Sequence, residues 1–260
     1  MALVDYHAEN GIGIFELNNP PVNSYSYESL QQLDAAILEA RLDDEVHVLI
    51  LRGKGDKFFS AGADINMLAG KSTSFRYNFA LFGQEVLLRL EHTPKLAIAA
   101  INGHAVGGGL EIAMGCDIRI AKKDAGRMGV AEINIGVIPG MGGTQRLPRL
   151  VGKGRAMELC TTGRTIIFEE ALEMGLLNHI YEPEGYWDQV LAYARQFTTP
   201  NKASFAVGRV KRAIHVGLET SLEDGLAFER EVLHQAFNSQ DATEGLSAYK
   251  DKRAPKFKGA

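Results

Sequence analysis

Cysteine is scarce in this chain: Cys116 and Cys160 are the only two in 260 residues, and no C-x-x-C spacing joins them. Both lie in apolar surroundings, so a disulfide framework is excluded and two buried thiols in a reducing compartment are expected. Neither H-E-x-x-H nor a Cys/His cluster occurs, so no metal is expected. Long apolar runs are missing too. The best candidate, Leu96 to Ile101, is strand length and far short of the roughly 20 residues that span a bilayer. The stretch from Met1 to His7 has neither the basic start and apolar run of a secretory leader nor the Arg and Ser of a transit peptide. A cytoplasmic protein without a membrane partner is therefore expected. Excess positive charge is also absent: 28 Lys and Arg against 32 Asp and Glu leave a net charge of −4. That balance gives no general attraction for nucleic acid.

Glycine, by contrast, is plentiful. The 28 glycines exceed the usual roughly 7% share and gather at 103–109 and 135–143, where they mark backbone work at particular places. The 45% apolar and 23% charged composition fits an ordinary globular protein. No period of roughly 20–50 residues repeats.

The first 120 residues or so alternate strand-like and helix-like patterns. Residues 12–17 read as a strand, broken by Asn18-Asn19-Pro20-Pro21. From Tyr27 to Leu42, apolar positions 30, 33, 37 and 40 fall at helical spacing behind Ser26, a candidate N-cap. Residues 46–51 and 95–101 are short buried-strand patterns. Strand, long helix, strand is the rhythm of a layered α/β protein. After Gly140 the pattern is nearly all helical, over 154–160, 168–174, 184–197, 203–216 and 222–237. Asp241 and Glu244, three apart, read as a capping box opening a last helix. A boundary near residue 195 divides an α/β core, 1–195, from a helical region, 196–260.

Three segments carry chemistry. The first, residues 101–114, is a strand, a turn containing Gly107-Gly108-Gly109, and a helix with Glu111 in its first turn. Glycines there let a ligand approach the backbone, and free N–H groups at a helix start suit an oxyanion or a phosphate. The phosphate-loop spacings G-x-x-x-x-G-K-[ST] and G-x-G-x-x-G are not met. The second segment, Phe58 to Ile65, ends an apolar strand in small residues and opens toward a helix at Asp64. The third, residues 132–147, sets Glu132 just ahead of a mostly apolar, glycine-rich stretch.

Together they resemble the enoyl-CoA hydratase/isomerase (crotonase) family. The matching text is A-G-A-D-I at 61–65, N-G-x-A-x-G-G-G-x-E at 102–111, C-D-x-R at 116–119 and E-I-x-I-G-x-I-P-G-x-G-G-T-Q-R-L at 132–147. E-G-L-S-A-Y-x-x-K-R at 244–253 resembles the family's last helix. The resemblance implies a crotonase-like α/β spiral of ββα turns, followed by C-terminal helices used in assembly as homotrimers or dimers of trimers. It implies an acyl-CoA substrate, with coenzyme A carried as part of that substrate and no separate cofactor. The N–H groups of Ala63 and Gly108 would form an oxyanion hole for the thioester oxygen. Ala61, Ala63, Asp64, Ile65 and Asn66 would hold the CoA moiety. Glu111 would activate water and Glu132 would handle the proton at the α-carbon, so the implied activity is enoyl-CoA hydration. Adding water across a double bond needs a base at one carbon and an acid at the next, and neighbouring carboxylates disfavour joint ionisation.

The chain departs from the family in places. Residues 19–23 follow the opening motif only loosely. One residue more than the commonest spacing separates Glu111 from Glu132, in the 122–127 turn. Phe75, Phe79 and Phe82 either line the acyl pocket or belong to the core. His104 reads as a turn residue. The basic tail, Lys252 and Arg253 above all, either reaches CoA phosphates or is a solvated helix end. A Δ3,Δ2-enoyl-CoA isomerase is the alternative activity. It needs only one carboxylate, so the presence of Glu111 favours the hydratase. An RNA-binding relative would want a more basic helix than 202–212, and a catalytically dead scaffold would not need both glutamates.

Overall fold

Three times along the chain a long apolar strand of one sheet is followed by a short strand of a second sheet, and then by helix. The computed structural model describes residues 2–260. Its chain opens with an antiparallel pair, β1 (Val4–Glu9) and β2 (Ile12–Leu17), and then α1 (Tyr27–Leu42). The first turn of the spiral is β3 (Val48–Gly53), β4 (Phe58–Ser60), α2 (Ile65–Ala69) and α3 (Thr73–His92). The second is β5 (Leu96–Ile101), β6 (His104–Val106) and α4 (Gly108–Met114). The third is β7 (Ile118–Lys122), β8 (Arg127–Gly129), a 3₁₀ turn over Glu132–Ile135, α5 (Gly143–Val151) and α6 (Lys153–Thr162). Next come β9 (Ile166–Ile167), α7 (Phe168–Glu173), β10 (His179–Tyr181) and α8 (Tyr186–Arg195).

The larger sheet runs β1-β2-β3-β5-β7-β10, and the smaller β4-β6-β8-β9. From β2 to β10 the larger sheet is parallel. Parallel strands are covered on both faces and therefore read as nearly unbroken apolar runs. In β3 and β5, Leu49, Leu51, Ala97, Ala99 and Ile101 face the main core with α1 and α3. Val48, Ile50, Ile98 and Ala100 face the opposite way, against Tyr186, Val190, Leu191 and Ala194 of α8. α8 is thus part of the α/β core, and it ends at Arg195.

Ser26 caps α1, its side chain accepting from Ser29 N while Ser29 Oγ accepts from Ser26 N. Leu30, Leu33, Ala36, Ile37 and Ala40 form its buried stripe. In the β7–β8 turn Asp124 takes a left-handed conformation (φ 57°). His104 is a strand residue whose Nδ1 accepts from Arg127 N.

The C-terminal helices are α9 (Ser204–Leu218), α10 (Leu222–Phe237) and α11 (Gln240–Lys250). α9 is tied to the core by Lys211, whose Nζ lies 2.8 Å from Asp117 Oδ2. One expectation is corrected here. α11 is capped by Ser239, which accepts from Ala242 N; Asp241 instead accepts from Lys258 N and Gly259 N, folding the tail back onto the helix. A carboxylate that can close a longer loop was free to do so because a serine two residues earlier already served the helix start. Among the described residues, no helix is long and apolar enough to cross a membrane.

Candidate active site

The segment after β4 is fixed by backbone pairing. Ala61 N donates to Val22 O, Tyr25 N to Gly62 O (2.9 Å) and Asp64 N to Tyr25 O (2.9 Å). Tyr25 and Ala63 thus form a parallel bridge. Since Gly62 C=O and Asp64 N–H face Tyr25, the intervening Ala63 N–H faces the other way. Gly62 adopts φ +91°, and a methyl group there would stand 2.9 Å from Gly108 N, so this segment lies directly against the start of α4. Asp64 Oδ1 accepts from Asn66 N and Met67 N, capping α2. Its carboxylate is thus engaged with the chain, while Ile65 and Asn66 are exposed beside it.

At the turn into α4, Gly107 adopts φ +56°, its N–H donates to Gly129 O, and its carbonyl accepts from Leu110 N and Glu111 N. Gly108 N belongs to the first helical turn and has no intrahelical acceptor. The glycines are steric necessities. A methyl group on Gly109 would collide with Ser60 O, and one on Gly108 with the Tyr25 hydroxyl. The segments carrying Ala63 and Gly108 therefore meet closely.

Glu111, one turn into α4, is 1% exposed. Its Oε1 accepts from Met141 N (2.8 Å) and Gly143 N (2.7 Å). The turn that supplies these donors is held from α3: Gln84 Nε2 donates to Gly140 O. Arg146 also donates to Met141 O while its guanidinium meets both carboxylate oxygens of Glu91, at 2.7 and 2.6 Å. Burial pushes the Glu111 carboxyl above its ordinary value, opposed by the two N–H donors and the Arg146 charge.

Glu132 starts the 3₁₀ turn that ends at left-handed Gly136. Its carboxyl rests on Gly107, where a methyl group would stand 3.1 Å from Oε1. Its Oε2 is buried with no hydrogen-bond partner among the described residues. Burial first, and the Glu111 charge second, push this carboxyl up to about 7. Two carboxyl groups thus bear on one space beside the Gly108 N–H, and at neutral pH they hold one proton between them more readily than two charges.

The structure brings Ala61, Ala63, Asp64, Gly108, Glu111 and Glu132 into one neighbourhood. Lys252 stands apart from it, exposed, left-handed (φ 54°) and just past the end of α11. Of the three phenylalanines, Phe79 is buried and Phe75 and Phe82 half-buried, and all pack against the main core. Tyr25, which sequence reasoning passed over, is a site neighbour. Its ring stacks on Phe79 at 6.0 Å and its hydroxyl touches Gly108. The donors from residues 141 and 143 were also missed; the one sequence signal for them is Gly143, where a methyl group would stand 3.1 Å from Glu111 Oε1.

Residues 7–260 match the family model described as enoyl-CoA hydratase/isomerase. The chain is 39% identical over 246 residues to a short-chain-enoyl-CoA hydratase from Clostridium acetobutylicum, covering 94% of this chain and 93% of that one. It is 37% identical over 250 residues to a crotonyl-CoA hydratase from Syntrophomonas wolfei, covering 96% and 95%. Among solved structures, an enoyl-CoA hydratase from Geobacillus kaustophilus superposes with a TM-score of 0.97 at 40% identity, covering 100% of this chain and 98% of that one. One from Bacillus anthracis gives 0.92 at 34%, covering 99% and 100%.

Proposed function

The chain belongs to the enoyl-CoA hydratase/isomerase family, and from that premise we propose that it is an enoyl-CoA hydratase, a hydro-lyase adding water reversibly to a 2-enoyl-CoA to give a 3-hydroxyacyl-CoA. The observation that carries this reading is the pair of carboxyls, Glu111 buried and Glu132 half-buried, both pushed upward, beside a Gly108 N–H without an acceptor among the described residues. A double-bond isomerase needs one proton carrier; water addition employs two groups.

In this reading the thioester oxygen lies between Ala63 N–H and Gly108 N–H, which stabilise the enolate as charge develops there. Ionised Glu111, steadied by Met141 N and Gly143 N, takes a proton from water as it attacks the β-carbon. Protonated Glu132, its Oε2 without a protein partner, delivers its proton to the α-carbon. Dehydration runs the same steps backward. The CoA moiety follows the backbone of Ala61, Ala63 and Asp64, beside Ile65 and Asn66, and Lys252 reaches a phosphate.

The coarser assembly reading rests on α9 and α10, where Val210, Ile214, Leu218, Leu222, Leu226 and Phe237 are exposed apolar residues suited to a trimer or a dimer of trimers. Two free cysteines suit a cytoplasmic location; burial pushes the Cys116 thiol up to about 12, which makes it a packing residue.

The deciding experiment is a panel of 2-enoyl-CoAs of different length and branching, followed by loss of enoyl-thioester absorbance. Turnover of at least one with formation of the 3-hydroxyacyl product is expected. A protein that shifts double bonds and never adds water would be an isomerase instead.

A further inference from the structure

Tyr25 has no role in the mechanism above, yet it meets both backbone segments that carry Ala63 and Gly108. Its backbone pairs with Gly62 and Asp64, which orients Ala63. Its ring ends a stack running Phe75, Phe79, Tyr25, with centroid spacings of 6.2 and 6.0 Å. Its hydroxyl lies against Gly108, whose neighbour Gly107 carries the Glu132 carboxyl. The residue is 7% exposed, and among the described residues no group hydrogen-bonds its hydroxyl, whose oxygen is not one of the fully buried unpartnered atoms. A phenol donor that has no protein partner and still meets accessible space is free to give its hydrogen bond to a bound molecule. Such a group at the centre of a catalytic cluster reads as one waiting for a ligand atom.

We propose that Tyr25 is a third working side chain of this site, its hydroxyl donating a hydrogen bond to the oxygen that is added to or removed from the acyl chain between Glu111 and Glu132. The inference rests on the hydratase reading. The phenol cannot be a second base: burial, and then the charges of Glu111 and Glu132, hold it well above its ordinary value, so it stays neutral and serves as a donor. An oxygen leaving the β-carbon gathers negative charge in the transition state. By microscopic reversibility the attacking water passes through the same state, so one well-placed donor assists both directions. The hydroxyl transfers no proton; Glu111 and Glu132 account for both.

Tyr25→Phe isolates the hydroxyl, because it keeps the ring stack on Phe79 and the backbone bridge to Ala63. With crotonyl-CoA as probe, kcat for hydration is expected to fall about tenfold, the scale of one hydrogen bond made in the transition state, with KM changed less than about twofold. Solvent-deuterium exchange at the α-carbon of butyryl-CoA, which needs no β-oxygen, is expected to stay within about twofold of wild type. Thermal melts verify the fold. Undiminished hydration by Tyr25→Phe, with an active wild type, would overturn the inference alone. Equal loss of hydration and exchange would overturn it as well, by locating the hydroxyl at the thioester oxygen. A wild type that hydrates no enoyl-CoA would sink the hydratase reading and this inference with it.

Discussion

Glu111 and Asp117 lie six residues apart, the first buried and the second with its side chain only 12% exposed, and have been given opposite surroundings. Burial alone would push both carboxyls up. Asp117 meets Lys211 Nζ at 2.8 Å and His215 Nε2 at 3.0 Å and accepts from Ala97 N, and these partners pull it below its ordinary value. Glu111 receives only peptide N–H groups and a more distant Arg146, and stays raised. Lys211 neutralises the Asp117 charge, and the pair fastens α9 to the sheet. Among the described residues the carboxyls at 111 and 132 have no salt bridge to a cation, and both are raised, the one at 132 to about 7. In the proposed mechanism the carboxylate held by a lysine is structural, and the raised pair beside Gly108 is chemical.

The largest test of that contrast is to remove each carboxylate. Glu111→Ala should reduce hydration kcat by at least ~10²-fold, the scale of a positioned acid or base, while leaving part of the α-proton exchange. Glu132→Ala should lose both by a similar factor. Asp117→Ala should do the reverse. It strands Lys211 as a buried unpaired cation and should cost about 3–5 kcal/mol of stability, with turnover per folded molecule within about threefold of wild type. Urea titrations and initial rates on the same three variants decide it. A stable Asp117→Ala, or an active Glu132→Ala, would break the contrast.

The second test is pH. In the proposed mechanism hydration uses ionised Glu111 with protonated Glu132, and dehydration uses ionised Glu132 with protonated Glu111. Both states carry one proton on the pair, so kcat/KM should follow one bell in both directions, belonging to the pair. Its alkaline limb should lie near pH 7, where the raised Glu132 carboxyl loses its proton, with activity falling about tenfold per unit above it. Initial-rate profiles of the two directions check this. Bells that differ between directions would mean that another group titrates.

How much of this was legible in the sequence depends on how local each cause is. The boundaries of α1 were readable because Ser26 and the stripe from Leu30 to Ala40 are neighbours in sequence. Glu111 and Glu132 were readable through motifs in family order. Their environments were not. The donors to Glu111 come from residues 30 and 32 positions away, and the partners of Asp117 from 94 and 98 positions away. Tyr25 lies next to the one stretch that follows the family pattern only loosely, so no motif flagged it. β10 is three residues long and half-buried, and becomes a strand by pairing with β7.

A subtler test uses stability, where the two surroundings should give opposite signs. Asp117 is held below its unfolded value, so its contribution is present above that value and is lost as pH falls through the folded one. Glu132 is raised from 4.5 to about 7. Between those values the folded state keeps a proton that the unfolded chain has released, so stability falls as pH rises across that window. Glu132→Gln removes this penalty. It should raise Tm by about 2–4 °C at pH 8 and by less than about 1 °C at pH 5. Equal shifts at both pH values would show that the charge was not the cost.

The smallest effect lies at the tail, where the same distinction between engaged and free charge recurs. Arg253 holds Glu244 through two contacts of 2.6 and 2.9 Å, and those contacts together with Lys256 N keep the Glu244 carboxyl down at about 2. Its guanidinium is therefore occupied within the chain. Neighbouring Lys252 has a left-handed backbone, is exposed, and has no ion-pair partner among the described residues. If free charge marks function, Lys252 and not Arg253 is the residue that meets a CoA phosphate. An exposed contact of this kind is weak and screened by salt. Lys252→Ala should raise KM by about two- to fivefold at low ionic strength, leave kcat unchanged, and become indistinguishable from wild type near 0.5 M salt, where the Debye length is only about 4–5 Å. Arg253→Ala should leave KM within experimental scatter while loosening the tail, which faster amide exchange over residues 251–258 would report. A larger KM change from Arg253→Ala than from Lys252→Ala would mean that the Glu244 pair gives way to the substrate, and the rule drawn from Asp117 and Glu111 would stop at the buried core.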